Sequence, residues 1–393
     1  MKISAFLLTL ATCALALLPG CRGKGGGYYW RDFHVYFALA AVDLDGHGQP
    51  QVAISDAFYT EGGHTNSVAL LSGGSAPTLK ARLGQAYTVA DLTYGDLDGD
   101  GLQDLVILLS DVGQPNLVKI CLQDPAHPGQ FLAPRTISLP AGDDWIKLAD
   151  LNGDGCLDIV TDTGQPVVLF QDPAHRGTFL APADLGIPRG YVVCCDLDGD
   201  GRTDVAVTAM DGTLRLYLQT PTPGVLSAGP VYALGGPPVD FCMGDLDGDG
   251  RPDLVVAVQT HASPVSGFLV AYVHDAGAAA SFHTVATGLT FSGGGIGYGY
   301  GMVCADFDGD GKADIAYTQY GTGLVTTCLQ LPGPTVAFGT RTDRSGFTLP
   351  SVLRAFDLDG DGRKDLLVAA DSVFFLRQDP AHPGSFLAPV RLL

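Results

Sequence analysis

The chain has 393 residues, enough for two or three average domains or one large β-rich or repeat-built domain. Gly (53) and Pro (25) are abundant, yet 46% of the residues are hydrophobic and 16% charged, which excludes a disordered chain, and no three-residue glycine period marks a collagen. The formal net charge of −20 argues against a phosphate-tracking surface, so no nucleic-acid partner is expected, and a chain this acidic is expected to attract cations.

Glu61 is the single glutamate among 42 acidic residues; the others are Asp. Glu favours helices, whereas Asp favours caps, turns and short-reach ligand positions. An all-β fold is therefore expected.

In chain order, Met1-Lys2 precedes an apolar run from Ile3 to Leu18. The run falls short of the roughly 20 residues that span a membrane and fits the core of an export signal. It ends Leu18-Pro19-Gly20-Cys21, which resembles a bacterial lipobox, in which Cys21 would be lipidated and become the new N-terminus. Pro19 is uncommon at its place in that pattern. Ordinary cleavage nearby, leaving Cys21 a plain thiol, is the alternative. Residues 1–20 thus read as a signal peptide, 21–32 as a Gly-rich tether and 33–393 as the folded domain. The expected location is outside the cytoplasm. Either a lipid anchor holds the protein at a membrane, in the periplasm or at the cell surface, or it is secreted.

From residue 43 onward one loop recurs seven times. The first copy, Asp43-Leu-Asp45-Gly-His47-Gly, carries His47 and Gln51 where the others carry Asp at positions 5 and 9, so it is expected to be empty or weak. The others are Asp96-Leu-Asp98-Gly-Asp100-Gly-Leu102-Gln-Asp104, Asp150-Leu-Asn152-Gly-Asp154-Gly-Cys156-Leu-Asp158 and Asp196-Leu-Asp198-Gly-Asp200-Gly-Arg202-Thr-Asp204. Asp245-Leu-Asp247-Gly-Asp249-Gly-Arg251-Pro-Asp253, Asp306-Phe-Asp308-Gly-Asp310-Gly-Lys312-Ala-Asp314 and Asp357-Leu-Asp359-Gly-Asp361-Gly-Arg363-Lys-Asp365 complete the set.

Carboxylates at positions 1, 3 and 5 of a tight loop converge on one point. The position-7 carbonyl (Leu102, Cys156, Arg202, Arg251, Lys312, Arg363) and the position-9 Asp can close the other side. Five or more hard oxygens in a flexible cage suit Ca²⁺ better than Mg²⁺. Asn152 keeps a carbonyl oxygen, so the third loop is expected to bind as well. Gly at positions 4 and 6 permits the backbone turn. The start resembles an EF-hand loop, but the acidic twelfth position is missing and the flanks are strand-like, as in Leu254-Val-Val-Ala-Val. Calcium-binding β-hairpins are expected, about six of them filled, which would bring the formal charge from −20 to about −8. The alternative is plain Asp/Gly turns.

Between these loops Gln123-Asp-Pro-Ala-His127-Pro-Gly-Gln-Phe131 recurs at Gln171–Phe179 and Gln378–Phe386. Asp-Pro and Pro-Gly mark turns, so His127, His175 and His382 read as exposed loop residues. Each unit becomes strand A, calcium loop, strand B, strand C, turn, strand D. Seven units of roughly 50 residues predict a seven-bladed β-propeller of four-stranded antiparallel blades. The last blade either completes itself, so that the ring closes by blade contact, or takes an extra strand from Tyr28–Phe33.

On these loops and this spacing the chain resembles FG-GAP/VCBS repeat proteins, whose blades are similar to those of integrin α-subunit propellers. The resemblance implies Ca²⁺ loops on one face and a ligand, often protein or glycan, on the other. That family includes adhesion receptors, lectins and some carbohydrate-active enzymes.

Catalytic motifs are missing: there is no HExxH and no GxSxG. The Gly-rich Gly293–Gly301 segment precedes a strand and reads as its entry, not as a phosphate cradle. Asp91, Asp143, Asp144 and Asp240, with Trp145, Tyr298 and Tyr300 as sugar-stacking neighbours, are the candidates for an acid–base site; exposed strand-start residues are the plainer reading. Two functions stand: a non-catalytic, calcium-stabilised binding or adhesion module for a protein or glycan, and a calcium-dependent, lyase-like carbohydrate-active enzyme. Cys121, Cys156, Cys194, Cys195, Cys242, Cys304 and Cys328 form no CxxC pair and read as buried thiols, not disulfides or zinc ligands.

Overall fold

The structure is a computed structural model. It describes residues 33–392 except 36–37, 44–50, 61–62, 73–78, 86, 112–113, 141, 143–144, 263–264, 276, 278–279, 293–295, 297–300 and 334. The export signal, the tether, Cys21, Asp45, His47, Asp143, Asp144, Tyr298 and Tyr300 lie outside the described residues.

Seven antiparallel sheets follow one another along the chain. The second blade is representative: Thr88–Gly95, Asp104–Ser110, Asn116–Cys121 and Arg135–Leu139 pair in sequence order. The protein is a seven-bladed β-propeller, and the described residues contain no helix. Strand A of the successive blades is Leu39–Val42, Thr88–Gly95, Ile146–Ala149, Gly190–Cys195, Pro238–Gly244, Met302–Ala305 and Val352–Phe356.

Composition sorts the strands by radius. Strand B is buried along nearly its whole length, as in Asp204–Ala209 and Asp365–Ala369. A strand buried on both faces reads as a continuous apolar run rather than an alternating one, which is what Val205-Ala-Val-Thr-Ala shows. Strand D, such as Leu226–Ala233, is largely exposed.

A single blade cannot cover its own faces, and the core is divided accordingly. One apolar layer joins Ala53 and Val68 of the first blade to Leu105 and Ile107 of the second. Others join the second to the third, the third to the fourth, the fourth through the fifth to the sixth, and the sixth to the seventh. The ring closes where Ile54 and Leu71 of the first blade pack on Leu367 and Phe375 of the seventh. Among the described residues no strand is exchanged there: Val352–Phe356, Asp365–Ala369, Val373–Leu376 and Val390–Arg391 form the last blade. Phe33–Val35 pairs with strand B of the first blade, beside Leu39–Val42. Among the described residues the ring closes by blade contact; residues 28–32 of the alternative strand lie outside them.

One cysteine expectation is corrected. Cys242 and Cys304 form a disulfide between strands A of the fifth and sixth blades, with Cα atoms 5.8 Å apart. Their separation of 62 residues hides the pair in sequence, because the contact arises only when blades stack. Cys121, Cys156 and Cys328 are buried thiols as expected, and Cys194 and Cys195 are half-buried.

Leu367 is fully buried in the closing layer. Leu367→Ala is expected to destabilise the protein by about 2–5 kcal/mol, whereas Val390→Ala, on an exposed edge, should stay within about 0.5 kcal/mol. Urea denaturation midpoints check this; equal midpoints would mean that the first and seventh blades are not held by this layer.

Candidate metal centres

All seven A–B hairpins share one register: the residue before position 1 pairs with position 9, as in Val42↔Gln51, Gly95↔Asp104 and Gly244↔Asp253. The same holds for Ala149↔Asp158, Cys195↔Asp204, Ala305↔Asp314 and Phe356↔Asp365. The loops therefore sit at the same end of the inner strands.

The fifth loop shows how the side chains shape the turn. Asp245 Oδ1 accepts the N–H of Gly248 (2.7 Å) and of Asp249 (3.1 Å), and its Oδ2 accepts that of Gly250 (2.8 Å). Asp247 Oδ1 accepts the Asp249 N–H, and Asp249 Oδ1 accepts the Arg251 N–H. Gly248 and Gly250 hold φ of 82° and 85°, a region open to glycine and costly for other residues.

Position 9 has a second task. Asp253 is fully buried; its Oδ2 accepts the Leu246 N–H inside the loop and its Oδ1 accepts the His274 N–H at the end of strand C, both at 2.7 Å. Asp104, Asp158, Asp204, Asp314 and Asp365 repeat both bonds, the outer one always to the N–H of a Gln. Burial pushes Asp253 up to about 6, and the charges of Asp247 and Asp245 add to the rise against the two N–H bonds. Burial pushes Asp314 further, to about 7. A carboxylate facing others in a partly desolvated pocket resists ionisation, and a cation among them removes that resistance.

Three carboxylate oxygens lie within 4.8 Å of one another in each of five loops: Asp96/Asp98/Asp104, Asp196/Asp198/Asp204, Asp245/Asp247/Asp253, Asp306/Asp308/Asp314 and Asp357/Asp359/Asp361. These groups can hold metal ions. In the third loop Asn152 replaces a carboxylate, and its Oδ1 accepts the Asp154 N–H as Asp247 accepts that of Asp249. The position-5 residues Asp200, Asp249 and Asp361 turn their second oxygen to Arg202, Arg251 and Arg363, and the hydrogen bonds from Arg251 hold Asp249 below the usual carboxylate range.

Residues 96–161, 196–256 and 306–368 match the model of the FG-GAP-like repeat. Each matched segment begins on the first aspartate of a loop. These three segments are FG-GAP-like repeats. No curated protein matches the sequence. Among solved structures, the chain is similar to BBS1N, crystallised in complex with ARL6DN (13% identity, 89% of this chain and 94% of that one, TM-score 0.56). It is also similar to a putative 6-phosphogluconolactonase from Bacteroides uniformis (11% identity, 92% and 97%, TM-score 0.52). At such identities the likeness concerns the fold.

The fourth, fifth and sixth loops are also backed by the following blade. His274 Nε2 contacts the Leu197 carbonyl at 3.0 Å, Gln378 Nε2 donates to the Phe307 carbonyl at 2.6 Å, and the Ala313 N–H donates to the Asp245 carbonyl at 2.7 Å. The Gln that opens each Gln-Asp-Pro turn is thus part of the loop's support. Sequence reading placed these residues in a turn only; the signal that could have found them is the recurrence of Gln at 123, 171, 219, 330 and 378. His127, His175 and His382 are exposed, each with Nδ1 on the Asp three residues before it.

Three candidates for acid–base or sugar contact are corrected. Asp91 and Asp240 are 1% exposed, neither strand-start surface residues nor open to a substrate. Asp91 Oδ2 accepts the Ile146 N–H (3.0 Å) and Asp240 Oδ2 the Gly301 N–H (2.8 Å), in each case from the next blade. Trp145 is buried in the layer between the third and fourth blades.

Burial pushes Asp240 up to about 8, against N–H bonds from Phe241 and Gly301 and the charge of Arg354. The folded protein therefore keeps a proton that the unfolded chain releases near pH 4. Stability from this group is complete below the unfolded value and falls as pH rises toward about 8. Urea unfolding of Asp240→Asn between about pH 5 and pH 8.5 should show a shallower decline than the parent; identical slopes would place the proton elsewhere.

Proposed function

We propose that the protein is an exported, calcium-stabilised propeller that binds a protein or glycan without transforming it. The observation that carries this reading is the repetition of all-oxygen donor groups on hairpins of common register, five of them with three carboxylate oxygens within 4.8 Å of one another. All-oxygen cages of three or four carboxylate or amide groups plus a carbonyl favour Ca²⁺ over transition metals, and their flexibility favours it over Mg²⁺. The position-7 carbonyls of Leu102, Cys156, Arg202, Arg251, Lys312 and Arg363 would supply that last oxygen. Export, with Cys21 as lipid anchor, rests on the N-terminal sequence; the Cys242–Cys304 pair is of a kind that persists in oxidising compartments. Binding rather than turnover is favoured because Asp91 and Asp240 spend their oxygens on backbone N–H groups of neighbouring blades.

Calcium binds only the folded chain, so each site at about 100 times its Kd adds about 2.7 kcal/mol. Chelator should lower the melting temperature markedly, and calcium should restore it where magnesium does not. Equal melting with and without chelator would contradict structural ions. A glycan array with a product assay on every hit tests the second half of the reading: retention of an intact ligand supports it, and turnover overturns it.

A further inference from the structure

The seventh FG-GAP loop differs from the others in one neighbour. The residue just before the outer partner of the position-9 Asp is Leu122, Phe170, Leu218, Val273 or Leu329 in the second to sixth blades. In the seventh it is Arg377. Its Nε forms an ion pair with Asp359 Oδ2, and its Nη2 lies 3.7 Å from Asp361 Oδ2. The Asp359 side chain is 3% exposed and that of Arg377 35%, so the guanidinium approaches from outside and caps a buried carboxylate. The close carboxylate group is rearranged to match. In four other loops it consists of positions 1, 3 and 9, whereas here Asp361 at position 5 replaces Asp365 at position 9. Among the described residues, no other position-3 Asp forms an ion pair.

We propose that Arg377 is the resident cation of the seventh loop, neutralising it without calcium and weakening its hold on that ion. The proposal rests on the reading of the remaining loops as calcium sites. A guanidinium is charged at every accessible pH, so the ion pair offsets the charge of Asp359 whatever the pH. A calcium ion entering this cage must first displace it, whereas the equivalent residue of the second to sixth blades is apolar and brings no charge. The blade that closes the ring against the first is thereby kept folded when calcium is scarce.

Calcium titration followed by native mass spectrometry counts ions per chain. The parent protein should take up its last ion about tenfold or more weakly than the others, the size of one charge-assisted contact. Arg377→Leu, which installs the side chain found in three other blades, should tighten that last step by a similar factor and leave the rest unchanged. An unchanged or weakened last step would overturn the proposal. Asp249→Ala, in the fifth loop, should remove an ion from the tight set in either case. If the parent binds no calcium, the reading of the other loops fails, and melting in chelator decides on Arg377 alone. Arg377→Leu must then melt below the parent and Arg377→Lys close to it; equal melting of parent and Arg377→Leu would mean that the guanidinium neutralises nothing.

Discussion

Carboxylates crowded into a turn repel one another, and this fold places one of them at zero exposure in every complete loop. Asp253 and its five counterparts hold the two ends of the unit together, the loop through position 2 and strand C through its last N–H. Buried acceptors in such bonds cannot be removed without orphaning two backbone donors. Yet burial makes their ionisation unfavourable and the carboxylates at positions 1 and 3 add to it, as the rise of Asp253 to about 6 expresses. The repeat thus builds a position that asks for a cation, and the rest of the blade is arranged around it.

The consequence extends around the ring. Because loop carbonyls such as those of Leu197 and Phe307 are bonded by side chains of the following blade, the shape of one loop is felt by its neighbour. Asp91 and Asp240 make the corresponding link at the other end of strand A. Apolar layers between blades provide most of the burial, while these polar links set the order and height at which blades stack. The Cys242–Cys304 bond adds a covalent tie to one of the seven junctions.

What could be read from sequence was local. A nine-residue ligand spacing between two apolar runs specifies a hairpin and its register without reference to anything distant, so strands A and B and the loop Asp residues were legible. Repetition then supplied the blade count. What could not be read was contact between blades. The burial of Asp91 and Asp240, the partner of Cys242 and the place of Arg377 beside Asp359 each join residues that become neighbours only after folding. Asp240 finds Gly301 across 61 residues, and nothing in the intervening sequence marks the pair. Trp145 looked available for a ligand because its burial depends on the following blade.

The central claim is that the hairpins hold calcium. Elemental analysis of protein purified without chelator tests it most directly: the account predicts about five calcium ions per chain, one for each complete loop outside the seventh blade. A preparation that is folded, and free of calcium and of any other divalent ion, would contradict it.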